Sequence, residues 1–329
     1  EDIARFVLDD VHLTTELKQL RHALVQALKP LDAGRFLASR DTQQDVGTGV
    51  TDPAEYSRGE LRDVVDANFG RVQEAVRTLE EFAKLSAGPS AAIEQVRYRL
   101  YTLHKALGIT LESQRRLDGC QLYLLATESS CRGGLGPAVR GAIAGGVRIV
   151  QLREKTLSDR ELLEVARRVR DWTRAAGVLF VMNDRPDLAV LSDADGVHVG
   201  QDELDIRSAR RIVGPGRLVG VSTHSITQAR QAVLDGADYL GVGPVFPSDT
   251  KSFAELAGLE FVRQVAAEIS LPWYAIGGIT QENIGEVTEA GARRVAVSGA
   301  VCAAGDPGEA SRNLDRALPV VGEPPGKRD

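Results

Sequence analysis

The sequence predicts a (β/α)8 barrel preceded by a smaller, mainly helical domain, and three observations carry that expectation. After Cys120, short β-rich apolar runs alternate with helix-like segments over about two hundred residues, the rhythm of a barrel or an open α/β sheet. Before it, apolar residues recur at helical spacing. A G-x-G-x-x-G spacing, which would favour the open doubly wound sheet, occurs nowhere.

The elements follow in order. Leu17, Leu20, Leu24 and Leu28 mark a first helix, with Thr14 or Thr15 as its expected cap. A polar stretch, R-D-T-Q-Q-D-V-G-T-G at 40–49, leads to Pro53. Leu61, Val65, Val72, Val76, Leu79 and Ala83 continue the helical pattern, as do Ile93, Val96, Leu100, Leu103 and Leu107. A six-residue echo links Glu1–Phe6 with Glu80–Leu85, the latter ending a helix expected to begin near Asp66, and it suggests residues upstream of Glu1. The expected strands are Gln121–Ala126, Val147–Leu152, Val178–Met182, Gly196–Val199, Leu218–Val221, Tyr239–Val242, Trp273–Ile276 and Arg294–Val297. Helices are expected over Asp159–Ala176, Ile226–Asp235 and Leu259–Ile269, with glycines at 145–146, 236 and 291 closing helices before the next strand. The expected domains are 1–117, 118–320 and a flexible tail at 321–329.

Composition narrows the function. The chain has 329 residues, 40 Lys+Arg against 46 Asp+Glu, a net charge of −6 and 43% hydrophobic residues. That supports a real core and argues against a general binder of nucleic acid or of anionic membranes. No apolar run reaches the roughly 18 residues of a membrane span. Cys120, Cys131 and Cys302 form no C-x-x-C pair, which fits a reducing cytoplasm.

A barrel places its chemistry at the C-terminal ends of its strands. Strand two ends in Gln151, Arg153 and Lys155, of one parity, so two cations share a face. Asn183 and Asp184 follow strand three. His198, Gln201, Asp202 and Glu203 lie at strand four, Ser222, Thr223 and His224 at strand five. The run G-P-V-F-P-S-D-T-K at 243–251 brings Ser248, Thr250 and Lys251, and Gly277-Gly278 and Ser298-Gly299 follow strands seven and eight. Arg153, Lys155 and Lys251 are converging cations. Asp184 and Glu203 suit Mg²⁺, which one or two carboxylates and substrate phosphates commonly hold. The Gly and Ser pairs offer backbone N–H groups to a phosphate. Each residue has a plainer reading: Arg153 and Lys155 as surface cations, Asp184 or His224 as helix caps, His198 as a satisfied buried histidine, Glu203 as a solvated loop residue, Ser248 and Thr250 as loop polars, Gly277-Gly278 as a turn.

In these motifs the chain resembles the thiamine phosphate synthases. The resemblance spans about Gln121 to Pro319 and rests on Q-L-R-E-K at 151–155, N-D at 183–184, D-G-V-H-V-G-Q at 195–201, G-V-S-T-H at 220–224, G-P-V-F-P-S-D-T-K at 243–251 and I-G-G-I-T at 276–280. It implies a transferase of thiamine biosynthesis that joins 4-amino-2-methyl-5-(diphosphooxymethyl)pyrimidine to a thiazole phosphate and releases pyrophosphate. It implies that Arg153, Lys155, Asn183, Ser222 and Lys251 hold the diphosphate, with Gln151 and His198 near the pyrimidine. Ser248, Thr250, Gly278, Ser298 and Gly299 would hold the thiazole phosphate, and Asp184 and Glu203 the Mg²⁺. The family usually carries Asp where this chain has Glu203, which leaves neighbouring Asp202 as an alternative ligand. The Phe246–Phe253 loop is expected to act as a lid.

The N-terminal half resembles a helical domain fused ahead of such synthases and linked to pyrimidine phosphate handling, through 40–48 and D-A-N-F-G-R-V-Q-E-A-V-R-T-L-E-E at 66–81. Asp41, Asp45, Asn68, Arg71 and Arg77 are its candidate phosphate ligands; a solvated docking or dimerisation module is the alternative, and no P-loop supports a kinase. Two small-molecule substrates are the expected partners, without nucleic acid or membrane, and with homo-oligomerisation open. Two rival functions remain. A thiazole tautomerase-like isomerase of the related barrel family would need no diphosphate set, and a non-catalytic sensor of thiamine precursors would form no product.

Overall fold

The computed structural model describes residues 1–30, 38, 57–85, 88–247 and 256–319. The chain divides into two compact units, Glu1–Leu111 and Glu112–Asp329.

The first unit is helical among its described residues, built on Val11–Leu28, Leu61–Ala83 and the start of Ser90–Arg116. The first helix is capped by Asp10, whose carboxylate accepts from Leu13 N at 2.6 Å, rather than by Thr14 or Thr15. The acid lies one residue before Val11, so the helix starts a turn earlier than the threonines suggested. The second helix begins at Leu61, five residues before Asp66, because Glu60 and Asp63 form a reciprocal capping box. Leu13, Leu20, Val65, Val76, Ile93, Val96 and Leu103 are buried, while Leu61, on the first turn, and Val72 are exposed. Glu80 and Arg97 pair at 2.6 Å, an almost buried ion pair joining the second and third helices.

The second unit is a closed parallel barrel in sequential order. Its strands are β1 (Leu122–Ala126), β2 (Ile149–Leu152), β3 (Leu179–Asn183), β4 (Gly196–Val199), β5 (Leu218–Thr223), β6 (Tyr239–Val242), β7 (Trp273–Ile276) and β8 (Val295–Val297). Runs such as Ile149–Leu152 and Gly196–Val199 are wholly buried, as strands covered on both faces require. Side chains set the helix starts: Ser158 caps Asp159–Ala175, Asp205 caps Ile206–Val213, Ser225 caps Ile226–Asp235, and Asp306 precedes Pro307 at the start of Pro307–Ala317. Gly236 closes a helix in the left-handed region at φ 95°.

The division falls six residues before the expected one, inside the helix Ser90–Arg116. Its final turn belongs to the barrel. Gln114 Nε2 donates to Ser270 O at 3.0 Å, and Ser113 Oγ donates to Asp238 Oδ1 at 3.4 Å. Leu117, fully buried, joins a core cluster with Cys120, Tyr123, Ile149, Val181, Leu218, Tyr239 and Tyr274. This cluster fills the barrel below the ends that carry the candidate site.

Candidate active site

A cavity of about 590 Å³ opens at the C-terminal ends of the strands. Arg153, Lys155, Asn183, Asp184, Glu203 and Ser222 line it together with Gly278, Ser298 and Gly299. Gln151 and His198 reach it from deeper positions. Ser248, Thr250 and Lys251 lie outside the described residues, as does most of the loop expected as a lid; so do Asp41 and Asp45.

The carboxylates face the cations. Asp184 takes a left-handed backbone at φ 59°, a conformation Asp tolerates better than most residues. Its N–H donates to His198 O at 2.8 Å, which extends the β3–β4 ladder while the chain turns out of the strand. Its carboxylate accepts from Asn183 Nδ2 at 2.6 Å and lies 3.7 Å from Lys155 Nζ. Asp184 caps no helix: Arg185 occupies the N-cap of Pro186–Leu191. Burial and the charge of Glu203 push the Asp184 carboxyl up, against Lys155, Asn183 and Arg153, which pull it down. Gly200 leaves the space for the Glu203 carboxylate, since a Cβ there would stand 2.2 Å from Glu203 Oε2. Asp202, the alternative ligand, is exposed and does not line the cavity.

The donor set fits a hard divalent cation. Two carboxylates share one mouth, and their mutual repulsion is the condition such an ion relieves. Among the described residues there is no group of three or more His, Cys, Asp or Glu able to hold a metal, so such an ion would draw its remaining coordination from water and substrate oxygens.

The opposite rim is backbone. Gly277 and Gly278 have φ of 104° and 62°. A Cβ on Gly278 would meet Pro247 O at 2.2 Å, so only glycine lets the β6 and β7 loops approach this closely. Phe246 N donates to Gly277 O and Val245 N to Ile276 O, which fixes that approach. The pair is therefore more than a plain turn. Ser298 Oγ is buried beside the cavity without a hydrogen-bond partner among the described residues.

The floor is polar. Gln151 Nε2 donates to Tyr123 Oη at 2.6 Å, Tyr123 Oη lies 3.0 Å from Tyr239 Oη, and Tyr239 Oη lies 3.2 Å from His198 Nδ1. His198 Nε2 then meets Ser222 Oγ at 2.9 Å. Burial lowers the His198 imidazole to about 4, so it is neutral near pH 7. His198 is thus a satisfied buried histidine that also reaches the cavity. The three floor tyrosines, with ring centroids 5.1–6.0 Å apart, escaped the sequence reading. The available signal was strand parity: Tyr123 sits opposite Ile149, two residues below Gln151, and Tyr239 opposite Gly220.

His224, read as a cap, has another task. Ser225 caps the helix Ile226–Asp235, while the His224 ring lies 2.5 Å, through Nδ1, from Gly243 O on the next strand's exit. In the first unit, Asn68, Arg71 and Arg77 are exposed on the helix Leu61–Ala83. At roughly 100° per residue Arg77 stands about half a turn from Asn68, so the three do not share one face.

Comparison with known proteins places this geometry. A family model described as thiamine monophosphate synthase matches residues 122–301, and one described as the ThiD2 family matches residues 1–106. The chain is 41% identical over 315 residues to a thiamine-phosphate synthase of Synechocystis, covering 95% of this chain and 90% of the relative. It is 47% identical over 288 residues to a thiamine-phosphate synthase of Gloeobacter violaceus, covering 87% and 83%. The solved thiamine phosphate pyrophosphorylase from Pyrococcus furiosus aligns with a TM-score of 0.55 at 36% identity, over 60% of this chain and 95% of that one. With the barrel, its cavity and these relatives in agreement, the chain belongs to the thiamine monophosphate synthase family.

Proposed function

We propose that the chain joins 4-amino-2-methyl-5-(diphosphooxymethyl)pyrimidine to a thiazole phosphate, releases pyrophosphate, and uses Mg²⁺ to do so. One observation carries the reading: Arg153, Lys155, Asp184 and Glu203 line the same cavity as Gly278, Ser298 and Gly299. One rim suits a metal-bound diphosphate and the other a phosphomonoester.

The chemistry follows from charge. Pyrophosphate leaves poorly until its developing charge is neutralised. A Mg²⁺ ion held by Asp184 and Glu203 supplies Lewis-acid neutralisation of that charge. Arg153 and Lys155 add charge-assisted donors, and Lys251 is proposed as a third. Asn183 binds Asp184 and holds its carboxylate in place. Departure leaves a methylene cation conjugated to the aminopyrimidine ring, and the thiazole nitrogen attacks it, so the protein need supply no nucleophile. Gly278, Ser298 and Gly299 hold the thiazole phosphate so that its nitrogen faces the cation; Ser248 and Thr250 are proposed to complete that site. Ser298 Oγ, left unpartnered, suits this role. The cytoplasm is part of the same proposal, because all three cysteines are free thiols.

Substrate-specific kinetics test the two-rim map. Arg153→Ala is expected to raise KM for the pyrimidine diphosphate, and Ser298→Ala KM for the thiazole phosphate. Equal effects of both variants on both substrates would overturn the map.

A further inference from the structure

We propose that Tyr123 and Tyr239 are positioning residues: their hydroxyls form a one-way hydrogen-bond relay that makes Gln151 an acceptor and Ser222 a donor toward the cavity. This deepens the proposed function and rests on it for the identity of the ligand.

The direction follows from the placement of the Gln151 amide. Gln151 Nε2 can only donate, so Tyr123 Oη accepts at 2.6 Å. In a one-way chain Tyr123 then donates to Tyr239 Oη, 3.0 Å away. Tyr239 sends its proton to His198 Nδ1, 3.2 Å away, which makes Nδ1 an acceptor. In a neutral imidazole the other nitrogen then carries the hydrogen, so His198 Nε2 donates to Ser222 Oγ at 2.9 Å. Ser222 keeps its own proton for a ligand oxygen. At the other end, with its amide nitrogen committed to Tyr123, Gln151 turns Oε1 toward the ligand. An aminopyrimidine presents an N–H donor and a diphosphate presents acceptor oxygens, so the two ends of the relay match the two halves of one substrate.

The reverse polarity is available to the same atoms. With the Gln151 amide flipped, every proton shifts one bond along, Gln151 presents N–H groups and Ser222 spends its hydrogen on His198. That polarity leaves Ser222 with no hydrogen for a diphosphate oxygen. The relay therefore links recognition of the ring to recognition of the diphosphate.

Packing fixes the central members. Gly220, opposite Tyr239, has no Cβ because the tyrosine occupies its place: a Cβ would stand 2.1 Å from Tyr239 Cζ and 2.5 Å from its Oη. Tyr123 and Tyr239 are almost wholly buried and meet edge to face. Tyr274 belongs to the same aromatic cluster but donates to Cys120 O at 2.8 Å, off the relay.

The test uses the full chain and three isosteric variants, Tyr123→Phe, Tyr239→Phe and Tyr274→Phe. Either relay variant is expected to raise KM for the pyrimidine diphosphate about tenfold, the cost of a mis-set buried hydrogen bond. The double relay variant should cost no more than the worse single one, since one break interrupts the chain. Tyr274→Phe should lower stability and leave the His198 tautomer unchanged. Additive relay effects, or an equal rise in KM in Tyr274→Phe, would overturn the proposal. A second readout needs no turnover: ¹⁵N NMR of His198 should report the Nε2–H tautomer in the wild type and a mixture in Tyr239→Phe. An Nδ1–H tautomer in the wild type would refute the direction. Absence of wild-type turnover with the expected tautomer would count against the proposed function and leave the relay standing.

Discussion

Leu117→Ala is expected to uncork the barrel. Leu117 is fully buried and belongs to a cluster with Tyr123, Tyr239 and Tyr274, whose rings are held by edge-to-face contacts and by the Tyr274 Oη bond to Cys120 O. Such a rigid rim collapses little around a missing side chain, which places the loss in the middle of the range for buried leucines, about 3–4 kcal/mol. With a urea m-value of roughly 3 kcal/mol/M for a domain of this size, the midpoint should fall by just over 1 M. Both tryptophans, Trp172 and Trp273, lie in the second unit, so fluorescence follows the barrel alone. Leu117→Met, close in volume, should cost less than about 1.5 kcal/mol. A Leu117→Ala loss below about 1 kcal/mol would refute the plug. The same reasoning bears on cutting the chain: residues 112–329 should fold and turn over, whereas 118–329, lacking Leu117 and the Gln114 and Ser113 bonds, should be far less stable. Equal stability of the two fragments would contradict it.

Further expectations concern the site and the first unit. Arg153→Ala should lower kcat/KM for the pyrimidine diphosphate by roughly ten- to hundredfold through loss of a charge-assisted contact of about 1.5–3 kcal/mol, read by steady-state kinetics. Glu203→Gln should raise the Mg²⁺ concentration needed for half-maximal turnover while Asp202→Asn leaves it unchanged; the opposite order would move the metal ligand to Asp202. Gly278→Ala should cost at least about 1 kcal/mol of stability, since φ is 62° and the new Cβ would stand 2.2 Å from Pro247 O, and should weaken the thiazole phosphate site, measured by unfolding and by KM. Glu80 is held below its ordinary value of 4.5 chiefly by its bond to Arg97. Its contribution is therefore full above that value and is lost as pH falls through the lower folded one, so acid unfolding of the wild type should be steeper than that of Glu80→Gln.

The barrel was legible because fully buried parallel strands read as short apolar runs, and each such run was placed to within two residues. Arg153, Asn183, Asp184 and Ser222, which line the cavity, were singled out because strand ends are where barrel chemistry sits. Tyr123 and Tyr239 were not, because a tyrosine inside an apolar run reads as core until its hydroxyl partner on another strand is known. Capping at Asp10 and the His224 bond to Gly243 O were missed for a related reason: short polar side chains near a helix start compete for one role, and geometry decides among them. The boundary at Glu112 was hidden because one continuous helix, Ser90–Arg116, crosses it.

The central claim is one cavity that joins two phosphorylated rings. The most direct measurement incubates the full chain with the pyrimidine diphosphate, the thiazole phosphate and Mg²⁺ and quantifies thiamine phosphate and pyrophosphate. The account predicts equal amounts of both products, formation only when both substrates are present, and loss of turnover in excess chelator that Mg²⁺ restores. Absence of coupled product, pyrophosphate release without thiamine phosphate, or turnover unchanged by chelator would contradict it.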